Sequence, residues 1–137
     1  MAAESEDRAV ATLEAGSRIV AIVDDDESVR VALQGMMKSV GLPAQAFASA
    51  EQFLKSGMVS NTGCLIVDIR MPGMSGLELQ AKLNAEHSRI PMIFITAHGD
   101  AKMRLQALRS GAVEFLAKPF DDEVLLENVQ AALEVQR

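Results

Sequence analysis

The chain has 137 residues, of which 49% are hydrophobic and 23% charged, as in a globular protein with a single core. Its net charge of −6 argues against direct nucleic-acid binding by this chain unaided. No apolar run is long enough to cross a bilayer, and the N-terminus lacks the layout of a secretion signal. We therefore expect a cytoplasmic protein with no membrane partner. Its single cysteine, Cys64, is expected to be a buried thiol.

The chain begins with an Ala- and Glu-rich stretch and then enters a strand–helix pattern. We interpret residues 1–17 as a flexible N-terminal extension and residues 18–137 as one domain. The apolar run IVAIV at 19–23 predicts the first strand. The helix after it is predicted from apolar residues at helical spacing, which are Val29, Leu33, Met36, Met37 and Val40.

Two further strands follow, each with a helix behind it. Residues 43–47 predict a second strand, and Pro43 favours an edge position because proline cannot donate to a neighbouring strand. The run CLIV at 64–67 predicts a third strand, and the helix after it is expected to reach about His87. Capping-box pairs open the two helices: Ser49 with Gln52, and Ser75 with Glu78.

The last two units repeat the pattern. Residues 91–96 predict the fourth strand and residues 112–117 the fifth, while Asp100 is a predicted N-cap of the helix between them. The inward face of that helix is predicted to carry Ala101, Leu105, Leu108 and Ala112, and that of the closing helix Leu125, Val129 and Ala132.

Five strands that alternate with helices predict an α/β fold, a doubly wound, mostly parallel five-stranded sheet. Right-handed crossovers place helices on both faces of such a sheet. This explains why the strands are apolar throughout rather than alternating between apolar and polar residues.

Polar side chains stand at the ends of four of these strands. Asp24 and Asp25 follow the first strand, Asp68 the third and Thr96 the fourth, and Lys118 comes just after the fifth. In an open parallel sheet these positions lie along one carboxyl edge, where such folds place their sites. One acidic strand end alone would fit a solvated turn or a helix cap, but four strand ends that carry Asp, Asp, Thr and Lys together indicate a reaction centre.

The chemistry of this set points to phosphoryl transfer. Three carboxylates (Asp24, Asp25 and Asp68) repel one another unless a cation lies among them, and oxygen-only ligands favour Mg²⁺ over zinc. A carboxylate beside Mg²⁺ can attack a phosphoryl group and become an acyl phosphate. Lys118 and Thr96 offer donors for the added charge. We therefore predict that Asp68 is phosphorylated.

Four motifs carry a family resemblance: VDDDESVR, VDIRMPGMSG, ITAHGD and FLAKPF. In this order and spacing the chain resembles the receiver domain of two-component response regulators, from about Arg18 to Leu133. The stretches MPGMSGLEL and TAHGD are most similar to the nitrogen-fixation-regulator branch, in which a helix-turn-helix usually follows the receiver. Because the chain stops at Arg137, we expect either a truncated transcription regulator or a stand-alone receiver.

The resemblance implies a sheet order of 2-1-3-4-5, as in flavodoxin-like folds, and a role for each site residue. Asp68 would be the phosphoacceptor. Asp25, Asp68 and the backbone carbonyl of Arg70 would bind Mg²⁺ directly, with Asp24 acting partly through water. The remaining roles are the switch hydroxyl for Thr96, the switch aromatic for Phe115 and phosphoryl contact for Lys118, whose peptide bond to Pro119 would be cis. From the residues alone, Phe115 fits a plain core position equally well.

The resemblance also implies the partners. A histidine kinase or phosphotransfer protein, or acetyl phosphate in its place, would supply the phosphoryl group. The chain would not be a turnover enzyme but would slowly dephosphorylate itself, with Arg70 and His98 positioned to obstruct the attacking water. A phosphorylation-dependent homodimer is expected through the face of the fourth helix, fifth strand and fifth helix.

Two other functions share part of this pattern. A haloacid-dehalogenase-like phosphatase also uses Asp, Thr, Lys and Mg²⁺, but it needs its nucleophile after the first strand and acidic residues near the fourth, where this chain has Thr96. A receiver-like interaction module that no longer accepts phosphate would not need the complete Asp, Thr and Lys set. Both are disfavoured on these grounds.

Overall fold

The computed structural model describes residues 18–97 and 100–135, so the predicted extension at 1–17 lies outside the described residues. The strands are β1 (Ile19–Val23), β2 (Ala44–Phe47), β3 (Thr62–Asp68), β4 (Met92–Thr96) and β5 (Glu114–Ala117). The helices are α1 (Glu27–Ser39), α2 (Ala50–Lys55), α3 (Gly76–Ala85), α4 (Ala101–Arg109) and α5 (Asp122–Val135), with one 3-10 turn at Val59–Asn61.

The five strands form one parallel sheet in the order β2-β1-β3-β4-β5, which confirms the predicted fold class and strand order. β2 is an edge strand, as Pro43 predicted. The register pairs Val23 with Val67 and Thr96 with Ala117. The ends of β1, β3, β4 and β5 are therefore level, and the residues that leave them share one edge of the sheet.

The sheet separates two hydrophobic cores, because successive strand residues point to opposite faces. In β1, for example, Ala21 contributes to one core and Ile22 to the other. The first core contains Phe53 of α2, Leu79 and Leu83 of α3, and Ala107 of α4. The second contains Leu33 and Met37 of α1, and Leu125, Val129 and Ala132 of α5. Helices on both faces explain the apolar strands.

Side-chain caps begin the helices largely as predicted. Ser75 and Glu78 make a complete capping box, in which the Ser75 hydroxyl accepts from Glu78 N and the Glu78 carboxylate accepts from Ser75 N. Asp100 caps α4 through Met103 N. The other predicted capping box is only half formed, because Ser49 accepts from Gln52 N, whereas the Gln52 side chain accepts from the N–H of Ala48, the residue before the cap.

The predicted inward faces of α1 and α4 need correction. In α4, Leu105 is 49% exposed and Ala101 is also exposed, whereas Ala107 is fully buried. The residues of α4 that pack against the first core are Met103 and Ala107. The small Ala107 side chain lets α3 pack closely there, and Gln80 of α3 donates to the Ala107 carbonyl at 3.0 Å. In α1 the prediction is right except for Val40, an exposed residue beyond the last helical turn.

Three element boundaries differ from the prediction by two residues. β3 starts two residues earlier and includes the aspartate at its end. α3 ends at Ala85, because His87 adopts a left-handed conformation with φ 61° and breaks the helical path. β5 starts only at Glu114, because the N–H of Ala112 still closes the end of α4 by donating to Ala107 O.

The capping box of α3 yields a stability prediction. Ser75→Ala removes the hydroxyl that accepts from Glu78 N at 3.1 Å, so we expect the free energy of unfolding to fall by about 1 kcal/mol in urea denaturation. The exposed Ser60 provides a control, since Ser60→Ala should change stability by no more than about 0.5 kcal/mol. Equal effects of the two substitutions would contradict a stabilising role of the cap.

Candidate functional site

Three carboxylates meet at the carboxyl edge of the sheet. Asp24 follows β1 and is fully buried, Asp68 is the last residue of β3 and is 7% exposed, and Asp25 is exposed. One oxygen of each lies within 4.8 Å of the others. The neighbouring register of β1 and β3 produces this cluster, because Val23 and Val67 are paired and each is followed by an aspartate.

Lys118 reaches this cluster from the chain that leaves β5. Its Nζ donates to Asp24 Oδ2 at 3.1 Å and to Asp68 Oδ2 at 3.2 Å. Its backbone N–H donates to Thr96 O at 2.8 Å, and its peptide bond to Pro119 is cis, as the resemblance implied. One ammonium therefore bridges the ends of β1 and β3.

The other carboxylate oxygens accept from the backbone. Asp24 Oδ1 accepts from Asp26 N at 2.9 Å, and Asp68 Oδ1 accepts from Arg70 N at 3.3 Å. Each of the two carboxylates is thus held between the lysine and a backbone N–H, which orients both toward the same space.

Burial determines the protonation balance. Burial raises the pKa of the Asp24 carboxyl and the nearby charge of Asp68 adds to this, although hydrogen bonds from Asp26 and Lys118 oppose it. For Lys118, burial alone would lower the pKa. The hydrogen bonds and charges of Asp24 and Asp68 outweigh burial, so its pKa is raised and the ammonium stays protonated.

The cluster fits a divalent cation that prefers oxygen ligands. Three ionised carboxylates and one ammonium leave a formal charge of −2 (three negative, one positive), which a divalent ion would neutralise. All three side chains that could coordinate the ion are carboxylates, a ligand set typical of Mg²⁺ rather than zinc. Asp24, Asp25 and Asp68 are the side chains that could hold it.

Thr96 and Phe115 lie in β4 and β5, the two strands that follow β3 in the sheet. Thr96 ends β4 and is fully buried. Phe115 in β5 is 5% exposed and packs against Phe94, with ring centroids 6.4 Å apart. In this structure Phe115 is a core residue, and its role as a switch aromatic stays a prediction.

Sequence reasoning missed two residues that support the site. Arg30 of α1 donates from Nη1 to Asp24 O at 2.8 Å, and Glu51 of α2 accepts from Met74 N at 2.9 Å. Arg30 ends the motif VDDDESVR and lies one helical turn after the acidic residues, so the sequence could have suggested a contact with them. No local feature of the sequence suggests the role of Glu51. Arg70 is exposed beside Asp68, and His98 lies outside the described residues.

The Response regulator receiver domain model matches residues 20–130. The chain belongs to this family. Nodulation protein W of Bradyrhizobium diazoefficiens is 49% identical over 119 residues, which are 87% of this chain and 52% of that protein. Transcriptional regulatory protein FixJ of Azorhizobium caulinodans is 42% identical over 114 residues, 83% of this chain and 54% of that protein. These relatives confirm the nitrogen-fixation-regulator-like branch.

The solved structure of FixJ-N is 42% identical, with a TM-score of 0.76, and the match covers 85% of this chain and 94% of that one. The chain spans about half the length of the curated relatives named above. Receivers are signalling domains of two-component systems that histidine kinases phosphorylate, rather than turnover enzymes. In the part of this receiver that the structure describes, no helix has the length and apolar character required to span a membrane.

The raised pKa of Asp24 yields a pH prediction. Its folded-state pKa lies above the ordinary 3.8, so its charge opposes folding increasingly as pH rises from below 3.8 through the folded-state pKa. We expect Asp24→Asn to raise the free energy of unfolding of the metal-free receiver at neutral pH.

That gain should shrink as the pH falls through the folded-state pKa and vanish only below 3.8, where the wild-type carboxyl is protonated in both states. Urea denaturation across this range measures it, with Glu127→Gln on the exposed side of α5 as the control. A less stable Asn variant at neutral pH would show that the charge of Asp24 stabilises the fold.

Proposed function

We propose that this receiver is a phosphoacceptor in a two-component phosphorelay and that Asp68 takes the phosphoryl group. The observation that carries this is the bridging Lys118 ammonium, which fixes Asp68 beside Asp24 at the open edge of the sheet. The donor is a histidine kinase or phosphotransfer protein. We assign residues 18–137 to the receiver domain and the chain to the cytoplasm, where such donors and Mg²⁺ are present.

The transfer exchanges one phosphorus bond for another. A carboxylate oxygen of Asp68 forms a bond to phosphorus as the bond from phosphorus to the imidazole nitrogen of the donor breaks, and the electron pair of that bond returns to the imidazole. Lys118 is within reach of the added oxygens, since its Nζ already lies 3.2 Å from Asp68 Oδ2. Its positive charge stabilises the charge that develops there.

The Asp24, Asp25 and Asp68 carboxylates, with the backbone carbonyl of Arg70, would hold Mg²⁺. When bound, the ion supplies charge neutralisation and orients the phosphoryl oxygens. Asp25 is the exposed member of the cluster, so it can engage an ion that arrives from solvent. We assign Thr96 and Phe115 to the switch, in which the Thr96 hydroxyl turns toward the phosphoryl group and the Phe115 ring fills the vacated space.

The acyl phosphate is lost slowly to water. Hydrolysis requires a water aligned opposite the Asp68 oxygen that carries the phosphoryl group. Arg70, two residues after Asp68 in the sequence, has an exposed side chain next to this position. A bulky side chain there restricts the water, so the modified state persists long enough to signal and the chain does not turn over an external substrate.

Asp68→Asn tests the phosphoacceptor. The substitution keeps the shape of the side chain but removes the nucleophile, so incubation with acetyl phosphate and Mg²⁺ should add a phosphoryl mass to the wild type and none to the variant. Intact-mass spectrometry measures the modification, and Asp122→Asn, an exposed aspartate on α5, is the control that should still be modified. A phosphoryl mass on Asp68→Asn would place the modification elsewhere.

The output surface is the face formed by α4, β5 and α5, which carries exposed charges of both signs. Arg104 and Glu114 form a pair at 3.9 Å on this face, and Leu105 and Val113 are 49% and 42% exposed beside them. The exposed charges are Lys102, Arg104, Arg109, Asp121, Asp122 and Glu127. Basic residues on one side and acidic residues on the other suit an isologous pairing of two receivers.

We expect phosphorylation to promote a homodimer through this face, because repacking of Thr96 and Phe115 would reshape it. Sedimentation velocity at about 100 μM, where even a weak dimer is populated, should show a monomer without beryllofluoride and a dimer with beryllofluoride and Mg²⁺. Leu105→Glu should abolish the dimer. Val31→Glu on α1, at a residue 62% exposed, should not. Monomeric wild-type profiles in both conditions would leave a partner protein as the reader of the switch.

A further inference from the structure

The loop that joins β3 to α3, residues 69–75, carries the backbone around Asp68. Its two ends are tied together, because Gly76 N donates to Ile69 O at 2.8 Å. Arg70 N lies within the loop and donates to Asp68 Oδ1 at 3.3 Å. The far side of the loop, at Pro72 and Gly73, is exposed to solvent. These two hydrogen bonds fix the part of the loop next to β3. The exposed part around Pro72 and Gly73 needs another support.

Glu51 provides a contact to this far side from a different element. It lies in the first turn of α2, and its Oε2 accepts from Met74 N at 2.9 Å across 23 residues of sequence. The adjacent Gly73 has a φ of +76°, and a Cβ built there would lie only 2.6 Å from the same Oε2. The carboxylate thus occupies the space that a side chain at Gly73 would need.

The helix α2, which carries Glu51, is itself held firmly in the fold. Ser49 caps α2 by accepting from Gln52 N at 3.1 Å, and Phe53, two residues after Glu51, is fully buried in the first core. The N–H of Met74, and then that of Glu51 itself, lowers the pKa of the Glu51 carboxyl, so it is ionised at neutral pH. Hydrogen bonds from N–H groups to an ionised carboxylate are stronger than those between neutral groups.

We propose that Glu51 is a positioning residue that holds the 69–75 loop in the conformation needed for the phosphorylation site. The inference rests on the proposed function, in which this loop supplies the Arg70 carbonyl to Mg²⁺ and the backbone N–H of Arg70 to Asp68. With both sides of the loop tied, these groups are ordered before the ion arrives. Because the loop is already ordered, Mg²⁺ binding does not have to include the entropy cost of ordering it.

The first measurement uses the metal-free receiver and does not depend on activity. Hydrogen exchange of the Met74 amide, followed by NMR, should accelerate in Glu51→Ala because its acceptor is gone. Glu51→Gln keeps an oxygen at the same position, so protection should be retained. Glu86→Ala removes an exposed carboxylate that pairs with Lys82 at 3.1 Å at the far end of α3, and it should leave Met74 protected.

The second measurement is the Mg²⁺ affinity from isothermal titration, together with the rate of phosphorylation by acetyl phosphate. Glu51→Ala should weaken Mg²⁺ binding by about tenfold, the lower end of the range for groups that orient metal ligands, and slow phosphorylation. Glu51→Gln should restore most of both, and Glu86→Ala should match the wild type. Should Glu51→Ala fail to fold, Gly73→Ala serves instead, because its Cβ would displace the loop from Glu51 and weaken Mg²⁺ binding similarly.

The outcomes separate the two proposals. A wild-type receiver that gains no phosphoryl group overturns the proposed function, whatever the variants do. A wild type that is phosphorylated while Glu51→Ala keeps normal Mg²⁺ affinity overturns the positioning role. Equal losses in Glu51→Ala and Glu51→Gln would also overturn it, since the effect would then follow the charge rather than the hydrogen bond.

Discussion

The ammonium of Lys118 lies between the carboxylates of Asp24 and Asp68, and the arrangement of the site depends on this contact. Two carboxylates this close and this buried cannot both stay ionised without a neighbouring cation. The lysine provides it, and its own pKa is raised in return. Yet the pKa of Asp24 remains raised by burial, so the lysine compensates the cluster only in part. The residual negative charge makes this edge attractive to a cation from solvent.

The sheet topology brings Lys118 within reach of Asp24 and Asp68. The order β2-β1-β3-β4-β5 makes β1 and β3 neighbours, so Asp24, which follows β1, lies level with Asp68, the last residue of β3. Lys118 comes from the far edge of the sheet and is separated from them by β4. The hydrogen bond from Lys118 N to Thr96 O holds its backbone at the end of β4, from which the long side chain spans to the aspartates. The strand order reverses between β1 and β3, and this is the switch point at which such sheets place their sites.

The sequence was informative wherever the determinant is local. Short strand-like segments between helical patterns predicted all five strands, and the polar residues at the ends of four of them predicted the site at this edge of the sheet. Prediction failed where the determinant is a contact made by distant residues. Leu105 has the right spacing to face inward, but the approach of α3 selects Ala107 instead. Glu51 is an ordinary helix-opening glutamate in the sequence, and only the fold shows that it accepts from Met74 N.

The path from the site to the output face is short and runs through backbone as well as side chains. Thr96 O accepts from Lys118 N, and the next strand carries Phe115, whose carbonyl accepts from Arg104 of α4 at 3.2 Å. If Asp68 gains the phosphoryl group, its single negative charge is replaced by about two on the phosphoryl oxygens, which compete with Asp24 for the Lys118 ammonium. Under the proposed function the phosphoryl oxygens would draw the Lys118 ammonium away from Asp24, and the bond from Lys118 N to Thr96 O connects that change to the end of β4. Arg104 joins α4 to β5, so the same chain of contacts connects the site to the face that we propose as the output surface.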